Sequence, residues 1–196
     1  MGTLISNDSV EKEIQRRILA GNRTYFATLS SATVSSGVDF YPELLKLYKT
    51  LIRPVVSCGA EAWTLTKKEE QAPLIFERKI FRRICVVLNI KNREWKSRAN
   101  GELEEMSKGE NIVKWIKGQR ISWLGRLERM EEDRMPKKIF TQELEGTRRR
   151  GRPIKRWKEE VERDLQVLGV RRWRELVADR KKWKDIVRQA KAHSGL

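Results

Sequence analysis

Apolar residues recur at helical spacing in one segment after another of this chain, and that periodicity confines it to a mainly α fold. Val10, Ile14, Ile18, Tyr25 and Leu29 share one face of a helix expected over 8–29, behind an Asp8 or Asn7 cap. From Pro42, the run ELLKLYKTLIRPVVSCGAEAW is too densely apolar for a surface helix; it reads as the most buried one, kinked at Pro54. Thr66-Lys-Lys-Glu69 matches a capping box opening a third helix through Leu88, with Leu74, Ile75, Phe76, Ile80, Phe81 and Ile84 as its stripe. Pro73 conflicts with that start, since a proline inside a helix costs about 3 kcal/mol. Either the helix begins at Pro73 or its first turns are strained. Ile116, Trp123, Leu127 and Met130 mark a fourth helix from Ile112, stopped by Pro136. Trp157, Val161, Leu165 and Leu168 line a fifth, and Trp173, Leu176, Val177, Trp183, Val187 and Ala190 a sixth, with Gly169 between them.

Two stretches lack this pattern. SSATVSSGVDFYP is Ser/Gly-rich and reads as a flexible link, and 92–111 is polar and looped, with a short helical piece near Leu103. The expected architecture is therefore mainly α, about six helices in two loosely coupled groups. Its segments are 1–40, 41–145 and a basic, Trp-containing helical hairpin at 146–196.

The helices have little to bury. Hydrophobic residues make up 39% and charged residues 36% of the chain, against roughly 45–50% and about 25% in ordinary soluble domains, so small apolar clusters are expected rather than one large core. Five of the seven tryptophans, Trp115, Trp123, Trp157, Trp173 and Trp183, fall in the last three helices. Their register with Leu and Val favours core positions over base-stacking ones.

Formal net charge is +16, and 147–196 holds 17 Lys/Arg against 7 Asp/Glu, a share of +10. Such a surface attracts polyanions, nucleic acid first, ahead of an anionic membrane face or an acidic protein. The densest part is TRRRGRPIKRW at 147–157, with Arg148, Arg149, Arg150, Arg152, Lys155 and Arg156. Arg150-Gly-Arg-Pro153 is the core of an AT-hook pattern, in which arginines enter a narrow A·T minor groove. Pro153 equally suits the first position of a helix, and this helix entrance is the favoured reading, with the arginines free to touch phosphates. The same run also fits a nuclear address. Arg171 and Arg172 add two cations beyond Gly169.

Catalytic constellations are missing from the pattern. The aspartates are scattered, and each Glu-Glu pair, among them Glu159-Glu160, stands beside lysines or arginines on what reads as a solvated helical face. Two distant cysteines, Cys58 and Cys85, and the single His193 assemble no zinc site, and no other cofactor is expected. The cysteines read as reduced core thiols of an intracellular protein. No secretory leader or membrane span is expected from MGTLISNDSVEKE or any later run.

Four blocks, MGTLISNDSVEKEIQRRILAGNRTYFAT, LYKTLIRPVVSCGAEAWTLTKKEEQ, IKGQRISWLGRLERMEEDRMPKKI and RRRGRPIKRWKEEVERDL, together resemble the C-terminal part of reverse transcriptases from non-LTR retrotransposons. The second and fourth are the most specific. The resemblance implies that 41–145 is a thumb-like helical region and that Gly2, Thr3, Leu4 and Ile5 end a short strand near the primer terminus. It begins after the palm, so the family's Tyr-x-Asp-Asp turn lies outside this sequence and a truncated, non-catalytic piece is expected. Cys58 where the family has tyrosine, Pro73 and CVVLNIKN depart from the pattern, as in a degenerate genomic copy.

The resulting expectation is sequence-nonspecific binding of RNA or DNA through Arg148, Arg149, Arg150, Arg152, Lys155, Arg156, Arg171 and Arg172, with no catalysis, no cofactor and no membrane partner. Two other readings stand beside it: part of an active RNA-directed DNA polymerase whose palm lies elsewhere, and a helical module docking proteins through 154–192.

Overall fold

The computed structural model describes residues 10–32, 40–92, 101–102, 105, 107, 109–141 and 157–193. The described residues are mainly helical and include no strand. The strand expected at Gly2–Ile5 lies outside them, as do 33–39 of the Ser/Gly-rich stretch. Contacts divide the chain into two units, Met1–Val113 and Lys114–Leu196.

In the first unit, α1 (Val10–Ala32) buries Ile14 and Tyr25, with Val10 and Ile18 half-buried at the edge of the same stripe. Gly21 lies on that face. A Cβ there would stand 2.5 Å from Val56 Cγ2 and 2.9 Å from Phe76 Cζ, so its missing side chain sets how closely α1 approaches its neighbours.

Next, α2 (Phe40–Leu47) runs into a π turn at Tyr48–Ile52 and then α3 (Arg53–Val56). Pro54 explains the widening. In a regular helix it could not donate to Thr50, and its ring would meet that carbonyl. Here Arg53 N–H donates to Tyr48 O, five residues back, before the proline is reached. Pro54 thus makes a π turn where a simple kink was expected. Leu44, Tyr48, Ile52 and Val56 are buried, while Leu51 is exposed.

The capping box forms as the sequence foretells: Thr66 N donates to Glu69 Oε2 at 2.8 Å and Glu69 N to Thr66 Oγ1 at 3.3 Å. It opens α4 (Lys67–Asn92), which continues through Pro73 and past Leu88. The helix therefore does not begin at Pro73. Pro73, Phe76, Glu77, Ile80, Phe81 and Ile84 share its buried face at intervals of three and four. Ile75 falls off that face and is exposed.

A buried polar network, unmarked by periodicity, ties this unit together. Glu77 accepts from Tyr48 Oη at 2.7 Å and from Ile112 N at 2.8 Å, with Arg53 Nη2 at 3.5 Å. Burial pushes the Glu77 carboxyl up, and these donors oppose that shift. Glu110 extends the network to Lys49 at 2.9 Å and Arg53 at 3.4 Å.

The second unit is built on α5 (Ile112–Glu128), α6 (Met135–Thr141), α7 (Trp157–Val167), α8 (Trp173–Val177) and α9 (Arg180–Ala192). α5 ends before Met130, and Pro136, expected to stop it, sits instead in the first turn of α6, where a proline costs little. The expected sixth helix is two. Asp179 takes an extended backbone between them and accepts from Lys181 N at 2.9 Å and Lys182 N at 3.3 Å, an N-cap that starts α9 anew. The helices accordingly outnumber the six expected.

Gly169 ends the excursion after α7 with φ +76°. Val170 N donates to Leu165 O at 2.9 Å and Gly169 N to Gln166 O at 2.9 Å, the paired bonds of a Schellman motif. The core gathers Ile121, Leu124, Val161, Leu165, Leu168, Trp173, Val177, Trp183, Ile186 and Ala190. Each fully buried aliphatic side chain of this kind stabilises the fold by about 1.5–3 kcal/mol.

Candidate nucleic-acid interface

Of the cations nominated from sequence, Arg148, Arg149, Arg150, Arg152, Lys155 and Arg156 lie outside the described residues. Arg171 and Arg172 are described and exposed, in the connection between the Schellman turn and α8. The turn holds the backbone on one side of them and buried Trp173 holds it on the other. Their side chains project from a fixed connection rather than a free tail.

A second basic surface, absent from the nominated residues, comes from α9. Its sequence RKKWKDIVRQAKA carries six cations and one carboxylate. Trp183, Ile186 and Ala190 turn inward at intervals of three and four, which leaves Arg180, Lys181, Lys182, Lys184 and Arg188 exposed. Asp185 neutralises Arg188 at 2.8 Å on this exposed surface. The amphipathic spacing that signals a core helix also sorts its charges outward.

Two glycines on α5 position this helix. Gly118 and Gly125 are two turns apart and share a face. A Cβ on Gly118 would meet Lys191 Cγ at 2.6 Å, and one on Gly125 would overlap the indole of Trp183. Since 118 faces 191 and 125 faces 183, α5 and α9 pack antiparallel. The approach brings Lys191 Nζ to 3.9 Å from the centre of the Trp115 ring, a cation–π contact that fixes the basic end of α9.

The tryptophans are framework here. Trp173 and Trp183 are buried with centroids 6.4 Å apart, while Trp115, Trp123 and Trp157 are half-buried. Trp157 meets Phe140 edge-on at 6.1 Å.

Buried charges were missed by periodicity, which counts only apolar residues. Arg120 pairs with Glu160 at 3.0 Å and lies 3.8 Å from Asp164, and Lys137 pairs with Glu128 at 3.0 Å. Glu160 is buried, so the solvated face expected for Glu159-Glu160 applies to Glu159 alone. Cys58 is likewise exposed, not a core thiol, while the Cys85 side chain lies outside the description. Among the described residues no three His, Cys, Asp or Glu side chains group as a metal site requires. None of the described helices is long and apolar enough to cross a membrane.

The arrangement is suited to holding polyanions by charge. No protein-family model matches the chain, and no solved structure matches it. It is similar to an uncharacterized Caenorhabditis elegans protein named as transposon-derived, with 24% identity over 196 residues, 96% of this chain and 68% of the relative. That likeness fits a transposable-element origin.

Proposed function

We propose that this chain is the post-palm, C-terminal part of a non-LTR retrotransposon reverse transcriptase, and that it binds RNA or DNA without sequence preference and without catalysing polymerisation itself. The observation that carries the reading is the exposed cationic surface of α9 and the Arg171–Arg172 connection, held by a tryptophan-lined core. The four sequence blocks and the transposon-derived relative support the same origin. Cations fixed on a rigid frame meet a phosphate backbone by displacing its condensed counterions, which needs no base contact. The basic stretch 148–156 adds further cations in the sequence.

The test is an anisotropy titration of the full chain against labelled single-stranded RNA and duplex DNA across a range of salt. Affinity is expected to fall steeply with salt and to vary little with sequence. A flat salt response, or no binding at low salt, removes the proposal. Binding to protein partners that survives nuclease, with none to nucleic acid, would support a protein-docking module instead.

A further inference from the structure

Arg129 joins two helix ends. Its Nη1 donates at 2.9 Å to the carbonyl of Val177, the last residue of α8, and so uses one of the five N–H donors of a guanidinium. The bond holds Arg129 at the break where Arg180 begins α9. Arg126, in the last turn of α5, lies three residues before Arg129 and therefore at the same end of that helix.

Among the described residues no carboxylate pairs with any of the three arginines. Those nearest in sequence are engaged elsewhere. Glu128 accepts from Lys137 Nζ at 3.0 Å, while Asp179 caps α9 and lies 3.8 Å from Lys182 Nζ. Arg126 and Arg180 are exposed and Arg129 is half-buried. Burial pushes the Arg129 guanidinium down, and the like charges of Arg180 and Arg126 push it further. A guanidinium held by a backbone carbonyl beside two others, with no paired carboxylate among the described residues, is stabilised by an anion that enters there, and the planar forks match phosphate oxygens.

We infer that Arg126, Arg129 and Arg180 form a phosphate cradle for the nucleic-acid backbone, with Arg129 as the prong fixed by Val177. The inference rests on the proposed nucleic-acid binding and names residues that carry it outside the 148–156 run.

The experiment compares the full chain with an R126Q/R129Q/R180Q variant and with R134Q/K138Q/R163Q, which removes the same charge from exposed positions of the same unit off the α9 surface. Binding of fluorescein-labelled single-stranded RNA is followed by anisotropy over a salt series. The first variant is expected to bind at least about tenfold more weakly, with a salt slope shallower by about 2, as loss of three phosphate contacts requires. The second should lose clearly less. Equal losses in the two variants would reduce the effect to bulk charge and overturn the cradle. Undiminished binding by the first variant would overturn it while leaving nucleic-acid binding intact, and no binding by the unaltered chain would overturn both. An R126Q/R180Q variant, which keeps the Arg129–Val177 bond, guards against loss of fold and should still bind more weakly than R134Q/K138Q/R163Q. As a variant-free check, phenylglyoxal labelling of the unaltered chain should show RNA protecting Arg126 and Arg180 but not Arg163; equal labelling with and without RNA sinks the cradle.

Discussion

Gly125 lies directly beneath the indole of Trp183, whose Nε1 donates to Ile121 O at 3.1 Å. A methyl group at 125 would overlap a rigid, buried ring that is also held by a hydrogen bond. Gly125→Ala is therefore expected to destabilise the protein by about 2 kcal/mol, although alanine is the better helix former. Chemical denaturation followed by circular dichroism measures it, and a neutral result would show that the indole can shift.

Gly118→Ala makes the opposite case on the same helix face. Its Cβ would meet the stem of Lys191, a flexible side chain that can swing aside. The gain in helix propensity and the loss of the Lys191–Trp115 contact are each about 1 kcal/mol or less, so the change should fall within about 1 kcal/mol of zero. The difference between the two glycines is the quantity to measure in parallel melts.

Glu77 lies at the centre of the first unit. Glu77→Leu removes the buried carboxylate beside Arg53, whose charge is then left to Glu110 at 3.4 Å, and also removes the acceptor of Ile112 N–H; it is expected to cost about 3 kcal/mol. Tyr48→Phe removes one donor from a carboxylate that keeps two others, and should cost about 1–3 kcal/mol. Equal losses from the two would contradict the network's order.

Glu13 supplies a pH signature. It accepts from Arg16 Nε and Nη2 and from Arg17 Nε, each at 2.8 Å. The Arg16 hydrogen bond leads the effects that hold its carboxyl below 4.5; burial opposes the shift and Arg17 supports it. A carboxyl lower in the folded state contributes stability that is full above the unfolded value and lost as pH falls through the folded one. The melting-temperature deficit of Glu13→Gln should thus be largest near neutral pH and shrink below pH 4.5. A deficit that persists unchanged into acid would point to packing instead.

The helical character and several boundaries were legible because they depend on local chemistry. The Thr66–Glu69 box, the Gly169 turn and the stripes of α1 and α7 are encoded within a few residues of where they act. The break at Asp179 was also written locally, as an aspartate before a basic helix, but the unbroken Trp, Leu and Val stripe concealed it. Buried charge was illegible for a different reason. Arg53 and Glu77 are 24 positions apart and Arg120 and Glu160 are 40 apart, so their neutralisation exists only after folding. The approach of Arg180 to Arg129, 51 positions apart in sequence, likewise exists only after folding, through the Arg129–Val177 bond. Of the residues nominated for binding, sequence favoured the dense run, while Arg180, Lys181, Lys182, Lys184 and Arg188 stand exposed on a helix read as core.

The π turn at Tyr48–Ile52 acts as a phase shift in the helical count. Leu44, Tyr48, Arg53 and Ser57 are all buried, spaced by four, five and four, and the extra residue falls where Arg53 N–H reaches Tyr48 O. A helix advances about 100° per residue, so an uninterrupted coil would carry the Arg53 guanidinium away from the Tyr48 ring, which it now overlies at 5.3 Å. The insertion lets a phenol and a guanidinium converge on one carboxylate oxygen of Glu77. Removing a single residue between them, even exposed Thr50, would leave every amino acid of that network present and set them out of step.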